Sequence, residues 1–188
     1  MLIWLVLIPL IAAALIGLCK APARPTALLS ASLTLALGIW ALVSFDGCSS
    51  CWSRFEGMDL QLTLAPALSK VMLLLTILVT FATVLGTNPP QGGEASWYNS
   101  ALLISAGATG AFLSDNMISF FAFHELALIP TFVMIGLYGR GDRRTTAWRA
   151  TLYLGLASMV LLAALLMIGT PAGFTFSGLK DFMASGRE

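Results

Sequence analysis

The sequence predicts an all-α polytopic transmembrane bundle with about six spans, and three observations lead to that fold class. Hydrophobic residues make up 58% of the 188 residues and charged residues only 10%, whereas soluble domains carry about 25% charged residues. The mean hydropathy is +0.89. Apolar runs of about 20 residues, the length that crosses a bilayer, alternate with short polar breaks, and six of them would occupy about 120 positions. We therefore expect one membrane domain, 1–188, and neither a soluble domain nor a disordered chain.

The first half of the chain holds three predicted spans, 2–18, 26–45 and 67–86. The run 2–18 could be a cleaved signal peptide, but basic residues follow it rather than precede it, which is the opposite charge order. We therefore expect a membrane-spanning helix there. The stretch 46–63 is polar and is interpreted as an outer loop. Asn88-Pro89-Pro90 marks a flexible break after the third span.

Two cysteines in the outer loop, Cys48 and Cys51, form Cys-Ser-Ser-Cys. This spacing suits a redox pair or half of a metal site, but no second pair and no nearby histidine completes a zinc site. A small disulfide and two free thiols remain as simpler interpretations. The sequence also has no phosphate-binding glycine loop, no dinucleotide fingerprint and no cysteine set for an iron–sulfur cluster. We expect no cofactor, no metal and no redox chemistry in this chain.

The second half of the chain holds spans 98–113, 117–138 and 147–168. The first of these is rich in small residues, which let helices approach closely in lipid. Ser114-Asp115-Asn116 is the polar interruption between it and the next span, and these residue types favour turns and helix N-caps. We expect a tight hairpin there. The tail, 169–188, is too polar to span and could form a short interfacial helix.

Basic residues predict the orientation, because lysine and arginine favour cytoplasmic loops. Loops two and four and the tail hold three of them, while loops one, three and five hold six: Lys20, Arg24, Arg140, Arg143, Arg144 and Arg149. This places the N-terminus outside. We expect an integral protein of the bacterial inner membrane that contacts lipid. A formal net charge of +1 gives no electrostatic basis for binding nucleic acid.

Glu125 is the most informative residue, because it is the ninth residue of the fifth predicted span and so lies near mid-membrane. A carboxylate there costs roughly 3 kcal/mol on insertion scales, and such residues usually face a bundle interior or a water-filled path. A protonatable acid at this depth suits a proton path. The alternative is a neutral acid that only bonds a neighbouring helix.

Three residues near this acid are further candidates. Pro130 has no N–H, so it deprives the Leu126 carbonyl of its helical donor and loosens the helix. His124 can exchange protons near neutral pH, although helix neighbours point about 100° apart and packing is an equal interpretation. Asp115, about 15 Å from Glu125 at helical rise, is either a proton access point near the surface or a helix cap.

The run from Ser114 to Pro130 resembles a known family. Its Glu125-x-x-Leu128-Ile129-Pro130 is similar to the antiporter-like proton-pumping subunits of respiratory complex I, above all subunit M of bacterial NADH:quinone oxidoreductase, which is chain 4 in mitochondria. Leu137-Tyr138-Gly139-Arg140 also fits. The resemblance is specific over about 110–165. Subunits of multi-subunit sodium/proton antiporters and of membrane-bound hydrogenases share this helix and remain alternatives.

The resemblance implies a proton-translocating role in which Glu125 is the functional acid and modulates a lysine on a seventh helix. His124 stands where the family usually has tryptophan. Family members continue past six spans into the broken helix that carries the lysine. We therefore expect partners among the membrane subunits of a large complex, including a chain that supplies the missing helices. A non-conducting, truncated scaffold is the other possibility.

Overall fold

The computed structural model describes residues 2–19, 21–44, 49–55, 58–64, 67–89, 92–172 and 174–185. Within these residues the elements are α1 (Ile3–Cys19), α2 (Ala23–Ser44), β1 (Ser49–Phe55), β2 (Met58–Thr63), α3 (Ala67–Gly86), α4 (Glu94–Leu113), α5 (Met117–Tyr138), α6 (Arg143–Ala172) and α7 (Phe176–Ser185). A helix lies at each predicted span, and the predicted helical membrane bundle is confirmed. Helices α4 and α6 each begin four residues before the predicted start.

Four of the described helices are long and apolar enough to cross a membrane: α2, α3, α5 and most of α6. Helix α1 is apolar but has 17 residues. Helix α4 carries buried Ser100, Ser105 and Thr109, and it packs against α1, α2, α3 and α5. Because α4 is surrounded by protein rather than lipid, it tolerates hydroxyl groups that a lipid-facing helix would avoid.

Two buried apolar clusters hold the helices together; alanines are frequent in the first, and leucines make up most of the second. One joins α1, α2, α3 and α4 around Ala13, Ala27 and Tyr98. The other joins α1, α2 and α3 to the chain before α3 around Leu5, Ile77 and Leu64. Lipid is as apolar as these side chains, so their stabilisation comes from close packing rather than from removal of water.

Contacts between connecting segments show that successive helices run in opposite directions. At one end the Tyr138 hydroxyl donates to the Gly93 carbonyl over 2.6 Å. At the other end Leu62 pairs with Ser114, and Asn116 pairs with Thr175. The connections before α4 and after α5 therefore share one end of the bundle. The β-strands, the α4–α5 turn and the start of α7 share the other.

The described part of the predicted outer loop contains two β-strands, which the sequence analysis did not anticipate. Strands β1 and β2 pair antiparallel, with Ser49 opposite Thr63 and Cys51 opposite Gln61. The alternation of leucine with polar residues over 60–64 is a strand signal that could have predicted β2. Cys48 lies outside the described residues.

The tail forms the short helix α7, and backbone hydrogen bonds tie its start to the α4–α5 turn. The N–H of Met117 donates to the Phe174 carbonyl, and the N–H of Phe176 donates to the Asp115 carbonyl, each over 2.9 Å. Phe174 adopts a φ of 59°, which is uncommon for a non-glycine residue. The ring of Phe176 packs edge-on against that of Phe120 in α5.

Candidate functional site

Helix α5 is held against α4 by two glycines whose missing side chains make room for it. A Cβ added at Gly107 would lie 2.8 Å from the Ala127 nitrogen and 2.8 Å from the Phe123 carbonyl oxygen, and one added at Gly110 would overlap the Phe123 ring. Phe123 and Ala127 therefore face α4. Residue 125 lies about 200° around the helix from residue 123, so Glu125 faces away from α4 and toward α6.

The Glu125 side chain is met by a hydroxyl from α6. Ser158 Oγ donates a hydrogen bond to Glu125 Oε1. The Ser158 residue is 2% exposed, whereas the Glu125 side chain is 35% exposed. The carboxylate thus has one buried partner inside the bundle, and its other side remains accessible.

His124 also approaches the carboxylate, although helix geometry did not require it. Its Nδ1 lies 3.8 Å from Glu125 Oε1, and its ring stacks on Phe120 with centroids 6.3 Å apart. That Nδ1 is buried and has no hydrogen-bond partner in the described residues. The imidazole is therefore oriented by Phe120 and has a free ring nitrogen beside the acid.

A cavity of about 180 Å³ opens beside Glu125 between α5 and α6. Apolar residues form most of its wall, together with the Thr151 hydroxyl and the open space at Gly155. The cavity reaches Phe132, whose ring contacts that of Trp148 with centroids 6.1 Å apart. It therefore runs from the carboxylate toward the end of the bundle that carries the arginine-rich loop.

Pro130 lies buried in α5, five residues after Glu125. The helix continues through it from Met117 to Tyr138. Proline has no N–H to donate to the Leu126 carbonyl, while the next carbonyl, that of Ala127, accepts a bond from Thr131 Oγ1 over 2.8 Å. The helix is thus weakened locally, one turn beyond the acid, without being broken.

The α4–α5 turn is where the structure revises a sequence interpretation. Asn116, not Asp115, caps α5: its Oδ1 accepts the Ile118 N–H over 2.8 Å and the Ser119 N–H over 3.4 Å. The cap interpretation of Asp115 is therefore wrong. Asp115 instead lines a surface cavity of about 400 Å³.

Phe120 links this second cavity to the acid. It lines the Asp115 cavity and stacks on His124. Phe120 therefore lies between the predicted site residues Asp115 and His124, and Glu125 follows His124 along α5.

Sequence reasoning missed Ser158. It is the one serine or threonine between Thr151 and Thr170, and an isolated hydroxyl in an apolar span is a weak signal for a polar contact. Its partner could not be predicted, because the register of α6 against α5 depends on the geometry of the connecting loop.

Comparison with known proteins links part of the chain, including the candidate site, to a known family. Residues 114–187 match the family described as NADH:quinone oxidoreductase/Mrp antiporter, transmembrane. That range starts at the α4–α5 turn and includes Glu125, His124 and Ser158. The match therefore covers every residue of the candidate site.

Three similar proteins extend the likeness to most of the chain. F(420)H(2) dehydrogenase subunit M of Methanosarcina mazei is 25% identical over 84% of this chain and 34% of that protein. NADH-quinone oxidoreductase subunit M of Rickettsia typhi is 27% identical over 76% of this chain and 30% of that protein. A chain of respiratory complex I from Thermus thermophilus with bound NADH is 26% identical with a TM-score of 0.82, covering 95% of this chain and 38% of that one.

The fold and these matches show the class of protein that the chain resembles: the antiporter-like integral membrane subunits of complex I-type complexes. Within that class, the resemblance to NADH-quinone oxidoreductase subunit M is confirmed. The chain spans about a third of the length of these relatives.

Proposed function

We propose that the chain helps to move protons across the membrane as a subunit of an NADH:quinone oxidoreductase, with Glu125 as the group that takes up and releases the proton. The observation that carries this proposal is the position of Glu125 at mid-length of α5, where Ser158 holds its carboxylate and His124 Nδ1 lies 3.8 Å away. A carboxyl group at this depth costs several kcal/mol. If Ser158 and His124 only packed against this side chain, the position would not require an ionisable residue.

The two cavities supply the ends of the proposed route. Protons reach Glu125 through the α5–α6 cavity from the arginine-bearing end. They leave through His124 toward Asp115 at the opposite end. In the step between side chains, a proton passes from the Glu125 carboxyl to His124 Nδ1, which leaves a carboxylate and an imidazolium. Pro130 supports the step, because the weakened helix can shift as the charge of the carboxyl group changes.

The proposed setting is a large membrane complex. Helix α6 exposes large apolar side chains, among them Leu156, Val160 and Met167, which fit lipid or the helices of other subunits. We propose that helices corresponding to those of the longer relatives pack beside this chain in the complex. The base whose protonation Glu125 influences would lie on those helices.

The test is proton uptake by membrane vesicles that contain the assembled complex and oxidise NADH. Glu125→Gln removes the ionisable group but keeps the shape of the side chain, so we expect proton uptake to fall about tenfold or more. Glu94→Gln, at an exposed acid in the first turn of α4, is the matched control and should leave uptake unchanged. Normal assembly with normal uptake in Glu125→Gln would reject the proposal. It would leave a structural scaffold as the function.

A sodium/proton antiporter subunit is the second candidate, because the matching family description covers both kinds of protein. It predicts flux that depends on sodium at fixed proton gradient. Proton uptake that is equal in sodium and in potassium buffers would exclude this candidate.

The proposed location is the bacterial inner membrane with the N-terminus outside. Cys19, an exposed free thiol at the end of α1, should then face the cytoplasm, and exposed Ala184 in α7 should face outside. A membrane-impermeant maleimide added to intact cells should label Ala184→Cys in a cysteine-free background. In a background that keeps only Cys19, it should label that thiol after the cells are opened. The reverse pattern would invert the orientation.

A further inference from the structure

We propose that Ser158 is a positioning residue for Glu125, a role that rests on the proposed function. Serine and threonine in a helix usually turn their hydroxyls back to a carbonyl one turn earlier. Thr131 in α5 and Thr151 in α6 do so, over 2.8 Å and 2.9 Å. The Ser158 hydroxyl instead crosses from α6 to the Glu125 carboxylate.

A hydroxyl suits this position because it can serve both protonation states of the acid. It donates one hydrogen bond to a carboxylate and can accept one from a protonated carboxyl group. Ser158 is buried at 2% exposure, so water has little access to its hydroxyl. The carboxyl group can therefore gain and lose a proton without losing its partner from α6.

The contact also fixes which way the acid points. Ser158 bonds Oε1, which is the oxygen that lies 3.8 Å from His124 Nδ1. The cavity on the other side of the carboxylate leaves space into which the side chain could turn. Ser158 thus keeps the carboxylate beside His124 and out of the cavity.

The experiment compares Ser158→Ala, which removes the hydroxyl, with Ser158→Thr, which keeps it. In the assembled complex we expect Ser158→Ala to lower proton uptake about tenfold, the usual size for a lost hydrogen bond to a charged group. Ser158→Thr should restore most of the uptake. Ser30→Ala is the matched control, because Ser30 is buried in α2 and its hydroxyl has no partner in the described residues.

Infrared difference spectra, recorded as the complex is stepped between low and high pH, separate positioning from packing. The carboxyl C=O band that disappears in Glu125→Gln should move to higher wavenumber in Ser158→Ala, because the C=O stretching frequency of a protonated carboxyl group rises when the group loses a hydrogen bond. It should return in Ser158→Thr. A packing role would leave the band in place.

The outcomes distinguish a failure of the proposed role of Ser158 from a failure of the proposed function. If Glu125→Gln is silent, the proposed function fails. If Glu125→Gln abolishes uptake while Ser158→Ala pumps normally with an unmoved band, only the role of Ser158 is overturned. If Ser158→Ala assembles poorly, the band position in its assembled fraction and the proton uptake of Ser158→Thr decide between a positioning role and a packing role.

Discussion

Ser158 in α6 and Glu125 in α5 are joined by a hydrogen bond at the centre of the helix pair. Interhelical hydrogen bonds in membrane proteins are individually worth about 0.6 kcal/mol, so this bond adds little to the stability of the bundle. Its consequence is orientation. It directs the one acid of α5 toward α6, where a cavity and a histidine nitrogen meet the same carboxylate.

The close approach of α4 and α5 gives a prediction about stability. In Gly107→Ala the new methyl group would lie 2.8 Å from backbone atoms of α5, which cannot move without shifting the helix. We expect a loss of about 1–3 kcal/mol in stability and a lower thermal unfolding midpoint of the purified complex. Gly86→Ala is the control, because its Cβ would meet nothing within 4 Å. An unchanged midpoint in Gly107→Ala would show that the helices do not pack this closely.

The cavity beside Glu125 gives a prediction about access. Gly155 lines it, and a Cβ there would meet nothing within 4 Å. Gly155→Leu should therefore be accommodated, and its side chain would occupy space through which protons are proposed to reach the acid. We expect reduced proton uptake with normal assembly, while Gly155→Ala should have a smaller effect.

Gly86→Leu at the end of α3 is the matched control for added bulk, since this position too has open space around it. Full proton uptake in Gly155→Leu would mean that the route does not pass between α5 and α6. The role of Glu125 itself would then need another access path.

The sequence was sufficient to predict the helices, because the length of each apolar run can be read directly from it. It also singled out Glu125 as a candidate, because a charged residue in an apolar span is rare. It was not sufficient for contacts between helices. The pairing of Glu125 with Ser158 depends on helix register, and the approach of His124 depends on its stacking against Phe120. From the sequence alone, Asn116 was one of three adjacent residues that could have capped α5.

Two neighbouring residues in the α4–α5 turn are expected to have different roles: Asn116 stabilises α5, and Asp115 is proposed to serve the proton path. Asn116→Ala should cost about 1 kcal/mol of stability, because it removes the cap of α5, and it should leave proton uptake per assembled complex unchanged. Asp115→Asn should keep the turn chemistry but remove a charge from the surface cavity, and we expect it to slow proton uptake. Thermal unfolding and vesicle uptake measured on both variants check this division. Equal uptake in Asp115→Asn and the unaltered protein would remove Asp115 from the path.

The start of α6 gives a prediction about pH. Hydrogen bonds from the Thr145 side chain and backbone N–H lower the pKa of the exposed Asp142 carboxyl below its ordinary value. Because the folded pKa is depressed, the stabilisation of this helix end is fully present above the pKa of the unfolded chain, about 3.9. It is lost as the pH falls through the lower folded value.

Hydrogen exchange at the amides of residues 143–146 measures this stabilisation directly. Corrected for intrinsic rates, their protection should decline as the pH falls below about 4, and in Asp142→Asn it should not change with pH. Asparagine caps about as well as aspartate but does not titrate, so the two proteins should converge at low pH. Protection that declines in parallel in both would show that another group controls this end of α6.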